Sequence, residues 1–459
     1  MTGIVVIVLA LGAMMVLAYR GVSLLLLTPA LAMLAVLAAE GGPLLASYTQ
    51  IFMKAAGDFI IQYFPLFLLG AVFGKLMEAS GAARVLAVHI VRGLGQGRAI
   101  LAIILSCAAM TYGGVSLFVV AFAVWPIASA LFREAALPKV LIPATIALGA
   151  FTFTMTALPG TPSIQNAIPM PYFGTTPFAA PWLGMITGGV MFILGWVWLE
   201  RRAKAIGPGY GGGEDAAEEI SHDQGPSLAV AAAPLLMVLA LNLVFTALVI
   251  PAMETRYLAQ PRYGETDVGA LRGVWSVIAA LTWSSLALVV LNWRRLSESL
   301  RQTLDDGASD ALKPIFNTAS LVGFGAVIAS LSAFSVMRDW VVTVGGDNPL
   351  ISLALGTGLL AGMTGSASGG MSIALATLGE TYLAMARAAS ISPDLLHRVT
   401  AVATGGLDTL PHNGAVITLL SICGLTHQEA YADIAVVAVV IPIVALVVLV
   451  TLGTLFGSF

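Results

Sequence analysis

Apolar runs recur along the chain at 4–17, 23–37, 190–199 with its upstream neighbours, 229–250, 274–291 and 434–452. Each is long enough, or nearly so, to cross about 30 Å of hydrocarbon as a helix. The ten-residue segments of alternating polarity that mark a membrane β-barrel are absent. Polar residues gather in two stretches. Residues 200–225, ERRAKAIGPGYGGGEDAAEEISHDQG, are Gly-rich and charged and read as a flexible loop joining two halves, with His222 as an exposed loop residue. In 294–313, Leu296, Leu300 and Leu304 recur every four residues among Arg295, Glu298, Arg301 and Asp305. That spacing predicts a short helix lying on a membrane surface, or else a solvated connector.

Composition agrees with the pattern. Of 459 residues 58% are hydrophobic and 10% charged, with mean hydropathy +0.94, against about 25% charged in soluble chains. The expectation is an all-α, multi-pass protein of a bacterial inner membrane. Run 4–17 has no basic residue before it and is followed by Tyr19-Arg20, so it reads as a retained span. The net charge of −3 comes without a basic domain and excludes a nucleic-acid partner. Cys107 and Cys423 stand apart without a CxxC spacing and read as small core hydrophobes, with no disulfide framework or metal site. No HExxH and no nucleophile beside a base is present, so neither an enzyme nor a bound cofactor is expected.

The two halves resemble one another. Gly70-Ala71-Val72 matches Gly325-Ala326-Val327, Gly113-Gly114 matches Gly369-Gly370, and Leu158-Pro159 matches Leu410-Pro411, in one order and at nearly one separation. With Arg20, the 75–98 region, Arg133, Lys139, the 200–226 loop and 294–313 taken as cytoplasmic, most of the 21 Lys and Arg fall inside. Under that assignment the repeats run in opposite directions, as in secondary transporters with alternating access. The pattern divides the chain into N-terminal helices (1–57), a first repeat (58–199), a linker (200–226), connecting helices with the surface helix (227–313) and a second repeat (314–459). A hairpin (99–131 and 350–386) and a broken helix (156–162 and 404–414) are expected in each repeat.

Non-helical backbone at membrane depth is tolerated only where protein buries it or a cavity needs it. The interruptions are two hairpin tips, 111–116 and 364–372, and two breaks, TALPGTP at 156–162 and TGGLDTLPHNG at 404–414. Interrupted helices point free N–H groups at whatever lies between them, which suits a small oxyanion. The alternative is that the small residues only allow close helix packing. Asp408 and His412, four residues apart beside Pro411, are expensive in a membrane and point to proton coupling or substrate binding. Two further readings stay open: Asp408 as a helix cap, and His412 as a donor to a freed carbonyl. Gln165 and Asn166 are expected on the polar side of the same cavity, while His397 and His427 fall in expected loops.

TYGGVS (111–116), LPGTP (158–162), TGSASGG (364–370) and DTLPHNG (408–414) resemble the GntP family of gluconate:proton symporters, within the ion transporter superfamily. The resemblance implies inverted repeats with two re-entrant hairpins, a scaffold that forms a homodimer, an elevator-like transport domain, and proton-coupled transport of organic anions. It implies that Thr111, Gly113, Gly114, Ser116, Thr364, Ser366, Ser368 and Gly369 bind substrate at the tips. At the breaks it implies Thr161, Asn166, Thr409, His412 and Asn413 for substrate, and Asp408 with His412 for the proton. The Ser-Asn-Thr signature of sodium-coupled carboxylate carriers is missing, which leaves such carriers, including those for short-chain fatty acids, as the runner-up. A channel is disfavoured because charge rings and a repeated filter are absent. The apolar TYGGVSLFVV suits a small hydroxy acid such as 3-hydroxybutyrate better than a sugar acid.

Overall fold

The structure is a computed structural model that describes residues 2–20, 22–211, 225–344, 346 and 348–459. His222 and its loop, 212–224, lie outside the described residues. No strand occurs among the described residues; helices satisfy their own backbone hydrogen bonds within one segment, as hydrocarbon requires. Eight of the described helices are long and apolar enough to cross a membrane.

Met53–Ala79 and Leu300–Ser330 pack along each other. A Cβ added at Gly307 would lie 2.8 Å from Val72 Cα, so glycine sets the closeness of that contact. Lys75 Nζ pins the pair, 3.4 Å from both Glu78 Oε2 and Asp310 Oδ2. This corrects the reading of 294–313 as a surface helix or solvated connector. Its second part opens the 31-residue helix Leu300–Ser330, which continues through Pro314. The buried face is Thr303, Gly307, Ala311 and Ile315, also spaced by four, whereas Leu304 is exposed. Small residues win because they admit the neighbouring backbone.

Two helical hairpins are present. Ala99–Tyr112 turns through 113–116 into Leu117–Glu134, and Pro349–Thr364 turns through Gly365-Ser366 into Ala367–Ala388. Their first arms, 14 and 16 residues long, are shorter than the roughly 20 residues that a spanning helix needs. Each first arm packs on a broken helix of its own half. In the first half the broken helix is Lys139–Thr156, then irregular backbone at 157–163, then the short turns Ile164–Ala167 and Pro169–Phe173. In the second half Pro393–Leu407 breaks at 408–413 and resumes as Gly414–Ile422. The halves meet where Pro393–Leu407 touches Phe153–Thr156, Ile164–Ala167 and Pro169–Phe173.

Candidate functional site

The first hairpin tip closes on the first break. Tyr112 donates its hydroxyl proton to Pro159 O at 2.7 Å, and a Cβ at Gly114 would sit 2.9 Å from Pro162 Cγ. Gly114 has φ +97°, a conformation that glycine adopts without strain. The N–H groups of Gly113, Gly114 and Val115 return to Ala109, Thr111 and Met110 carbonyls. Ser116 begins Leu117–Glu134 without a side-chain cap. Thr111 is buried, and its hydroxyl has no protein partner. Within the break, Asn242 donates to Gly160 O at 3.0 Å, and Ser163 Oγ donates to Met155 O at 2.6 Å. Thr161 is buried and its Oγ1 accepts from Ser163 N–H at 3.4 Å.

The second tip and break are tied more tightly. Asn413 donates to Gly365 O (3.1 Å) and to Asp408 O (2.8 Å), while its Oδ1 caps the next helix by accepting from Ala415 and Val416 N–H at 2.6 and 3.0 Å. His412 Nε2 lies 3.0 Å from Gly362 O, which is the freed-carbonyl geometry. Thr409 Oγ1 donates to Ala438 O at 2.8 Å, inside the π-turn Val436–Val440, where a widened helix offers a carbonyl. His427, at the start of His427–Ala435 and not in a loop, places Nε2 2.9 Å from Pro411 O.

At the second tip, Ser366 caps Ala367–Ala388 by accepting from Gly369 N–H at 3.1 Å. Ser368 Oγ lies 3.3 Å from both Ser366 Oγ and Thr318 Oγ1. Thr364 donates to Leu360 O at 2.9 Å. Gly369 and Gly370 are helical, and a Cβ at 370 would fall 2.2 Å from Ala361 N. Gly370 thus brings the hairpin arms together, while Gly369 admits Leu321 of Leu300–Ser330, so both glycines serve close packing. Asp408 is partly buried; its Oδ1 is closed off from solvent without a partner, while the Ala367 and Thr409 N–H groups lie against the carboxyl.

A third cluster, absent from the sequence reading, joins the two breaks. His397, expected in a loop, is fully buried on Pro393–Leu407 together with Arg398, the largest fully buried side chain. His397 Nδ1 is 2.7 Å from Thr175 Oγ1 and its Nε2 3.0 Å from Asn166 Oδ1. Arg398 donates through Nε and Nη2 to Ala179 O (3.2 and 2.8 Å), and through Nη1 to Thr156 O (3.0 Å) and Asn166 Oδ1 (3.2 Å). Asn166 completes the knot by donating to Thr161 O and Pro177 O at 2.9 and 3.0 Å. Close by, a Cβ at Gly405 would lie 2.7 Å from Thr156 Cγ2.

Direct contacts therefore run from the first tip to the first break, across Arg398 and Gly405 to the second break, and on to the second tip. Gln165 Oε1 joins Thr111 Oγ1 and Asp408 Oδ1 as a buried oxygen without a partner. In sequence the sign of the missed cluster is a Ser-Pro-Asp helix start, SPDLLHR, running straight into the small, apolar VTAVATGG. His397 and Arg398 are thereby placed inside the fold, not at its rim.

No model of a known protein family matches the chain. It is 45% identical over 451 residues to the Bacillus subtilis protein YxjC, named an uncharacterized transporter, covering 95% of each chain. Two solved transporter structures share the fold at low identity. The Alcanivorax borkumensis YdaH transporter matches with a TM-score of 0.61 and 15% identity, over 97% of this chain and 99% of that one. The Neisseria gonorrhoeae MtrF, described as illuminating a class of antimetabolite efflux pumps, matches with a TM-score of 0.56 and 13% identity, over 92% and 85%.

Proposed function

Because the chain belongs to the transporter family that includes Bacillus subtilis YxjC, we propose that it carries a small organic hydroxycarboxylate together with protons across a bacterial inner membrane. The substrate would be of the class of 3-hydroxybutyrate or gluconate. The observation that carries this reading is the single chain of contacts joining all four interruptions, which holds unpartnered buried oxygens at Thr111 and Asp408. A polar solute would supply what these groups lack. The proposed ligands are the hydroxyls of Thr111, Ser116, Thr161, Thr364, Ser366, Ser368 and Thr409, a set of groups suited to a hydroxy acid. The resemblance to gluconate:proton symporters adds the proton and, with it, inverted repeats, a homodimeric scaffold and a moving transport unit.

Asp408 is the favoured proton carrier. A carboxyl without an ionic partner can neutralise itself by binding a proton, which would offset the substrate's charge during translocation. His412 and Asn413 already hold the carbonyls of Gly362 and Gly365. These bonds occupy lone pairs that a sodium ion would otherwise use, which supports the proton over the sodium-coupled alternative.

The test is uptake of labelled 3-hydroxybutyrate and gluconate into proteoliposomes. Uptake should rise as the outside is made more acidic than the inside and be indifferent to sodium. Equal uptake with and without the proton gradient would remove the coupling. Saturation and counterflow would separate a carrier from a channel.

A further inference from the structure

We propose that Arg398 is the fixed positive charge that determines specificity for anions, and that it draws the substrate's carboxylate to the first break, away from the second. The inference rests on the reading above that the cargo is a small carboxylate.

Arg398 is fully buried, and its guanidinium hydrogen-bonds to neutral acceptors: Ala179 O, Thr156 O and Asn166 Oδ1. No carboxylate pairs with it among the described residues. Asp394, one turn earlier on the same helix, is only partly buried and makes no direct ion pair with it; its charge acts on the guanidinium through space but leaves every bond of Arg398 on a neutral acceptor. His397, its neighbour, bonds Thr175 and Asn166 and brings no negative charge. An ionic side chain taken out of water without a counter-ion is costly, and an anion held nearby recovers part of that cost.

Its position gives the charge a direction. Thr156 O ends the helical segment that precedes the first break, the end where helix carbonyls carry negative partial charge and repel an anion. The guanidinium covers that carbonyl and reverses the local sign. Leu117–Glu134, whose tip closes on the same break, starts without a side-chain cap, and beside it Thr111 offers a buried, unpartnered hydroxyl. On the far side the second break has no such cation. It carries Asp408, and the helix after it is capped by Asn413. A carboxylate entering between them meets an attractive and a repulsive end.

A unit charge acting over about 6 Å at an effective dielectric constant near 20 is worth a tenfold to hundredfold change in affinity. Binding of 3-hydroxybutyrate and of its neutral amide to the purified full-length protein tests the idea. Wild type should prefer the carboxylate. Arg398→Lys, which keeps the charge but not the fork of bonds, should retain that preference. Arg398→Gln, which keeps a donor but not the charge, should lose about tenfold to a hundredfold in carboxylate affinity while its weak amide binding stays level. Equal losses in Lys and Gln variants that both fold would overturn the charge role in favour of simple positioning. Should the Gln variant not fold, Asn166→Asp places a carboxylate against Nη1; undiminished carboxylate preference there would overturn the proposal. A folded wild type that binds neither compound removes the underlying reading and the inference with it.

Discussion

The two breaks occupy matching places in the halves, yet they are finished with opposite chemistry. The first, at 157–163, lacks a side-chain cap on the segment that follows and borrows a buried arginine from the other half. The second, at 408–413, is capped by Asn413, tied to its hairpin by His412 and Asn413, and holds a carboxyl with an unpartnered oxygen. The two breaks thus differ in their side chains, and under the proposed function the first would suit an anion and the second a titrating group.

That contrast is open to direct attack. Asp408→Asn should have the largest functional effect, abolishing gradient-driven accumulation in proteoliposomes while leaving carboxylate binding nearly intact. Loss of binding instead would merge the two roles. Next come the paired glycines. Gly370→Ala forces a methyl into the Ala361 backbone and should cost about 3 kcal/mol. Gly114→Ala, which strains a positive φ, should cost about 1–2 kcal/mol. Denaturation of the two variants in detergent orders them, and a reversed order would misplace the packing role.

Capping differences are smaller. Asn413→Ala removes two accepted and two donated bonds and should lower stability by about 2 kcal/mol. Ser163→Ala loses only the bond to Met155 O and should cost about 1 kcal/mol. Equal melting shifts would erase the distinction between capped and uncapped breaks. The mildest change is His412→Gln, which can still donate to Gly362 O; gradient-driven uptake should stay within about threefold of wild type. Uptake that no longer responds to the gradient would instead make His412 the proton carrier.

Much of this layout was legible in the sequence, because Gly, Pro, Asp and His inside apolar runs announce interrupted helices without any knowledge of packing. Three things were not. The match of Gly113-Gly114 to Gly369-Gly370 aligned a turn with a helix interior: Gly114 has φ +97°, whereas Gly370 lies in Ala367–Ala388 against Ala361. The leucine stripe at 296–304 does not mark one buried face, since Leu296 is buried outside the long helix while Leu304 is exposed on it, and the deciding contact is Gly307 on Val72. His397 looked like a loop residue and Arg398 drew no reading at all, because only the acceptors at Thr156, Asn166 and Ala179, far away in sequence, give the arginine a buried place.

The distance along the chain between Arg398 and those acceptors also bears on biogenesis. Membrane proteins enter the bilayer from the N-terminus onward, so Thr156 O, Ala179 O and the Asn166 amide oxygen are made long before the side chains that satisfy them. Until Pro393–Leu407 arrives, the first half holds polar backbone that hydrocarbon cannot solvate. The first half therefore gains its full set of hydrogen-bond partners only after Pro393–Leu407 has been synthesised.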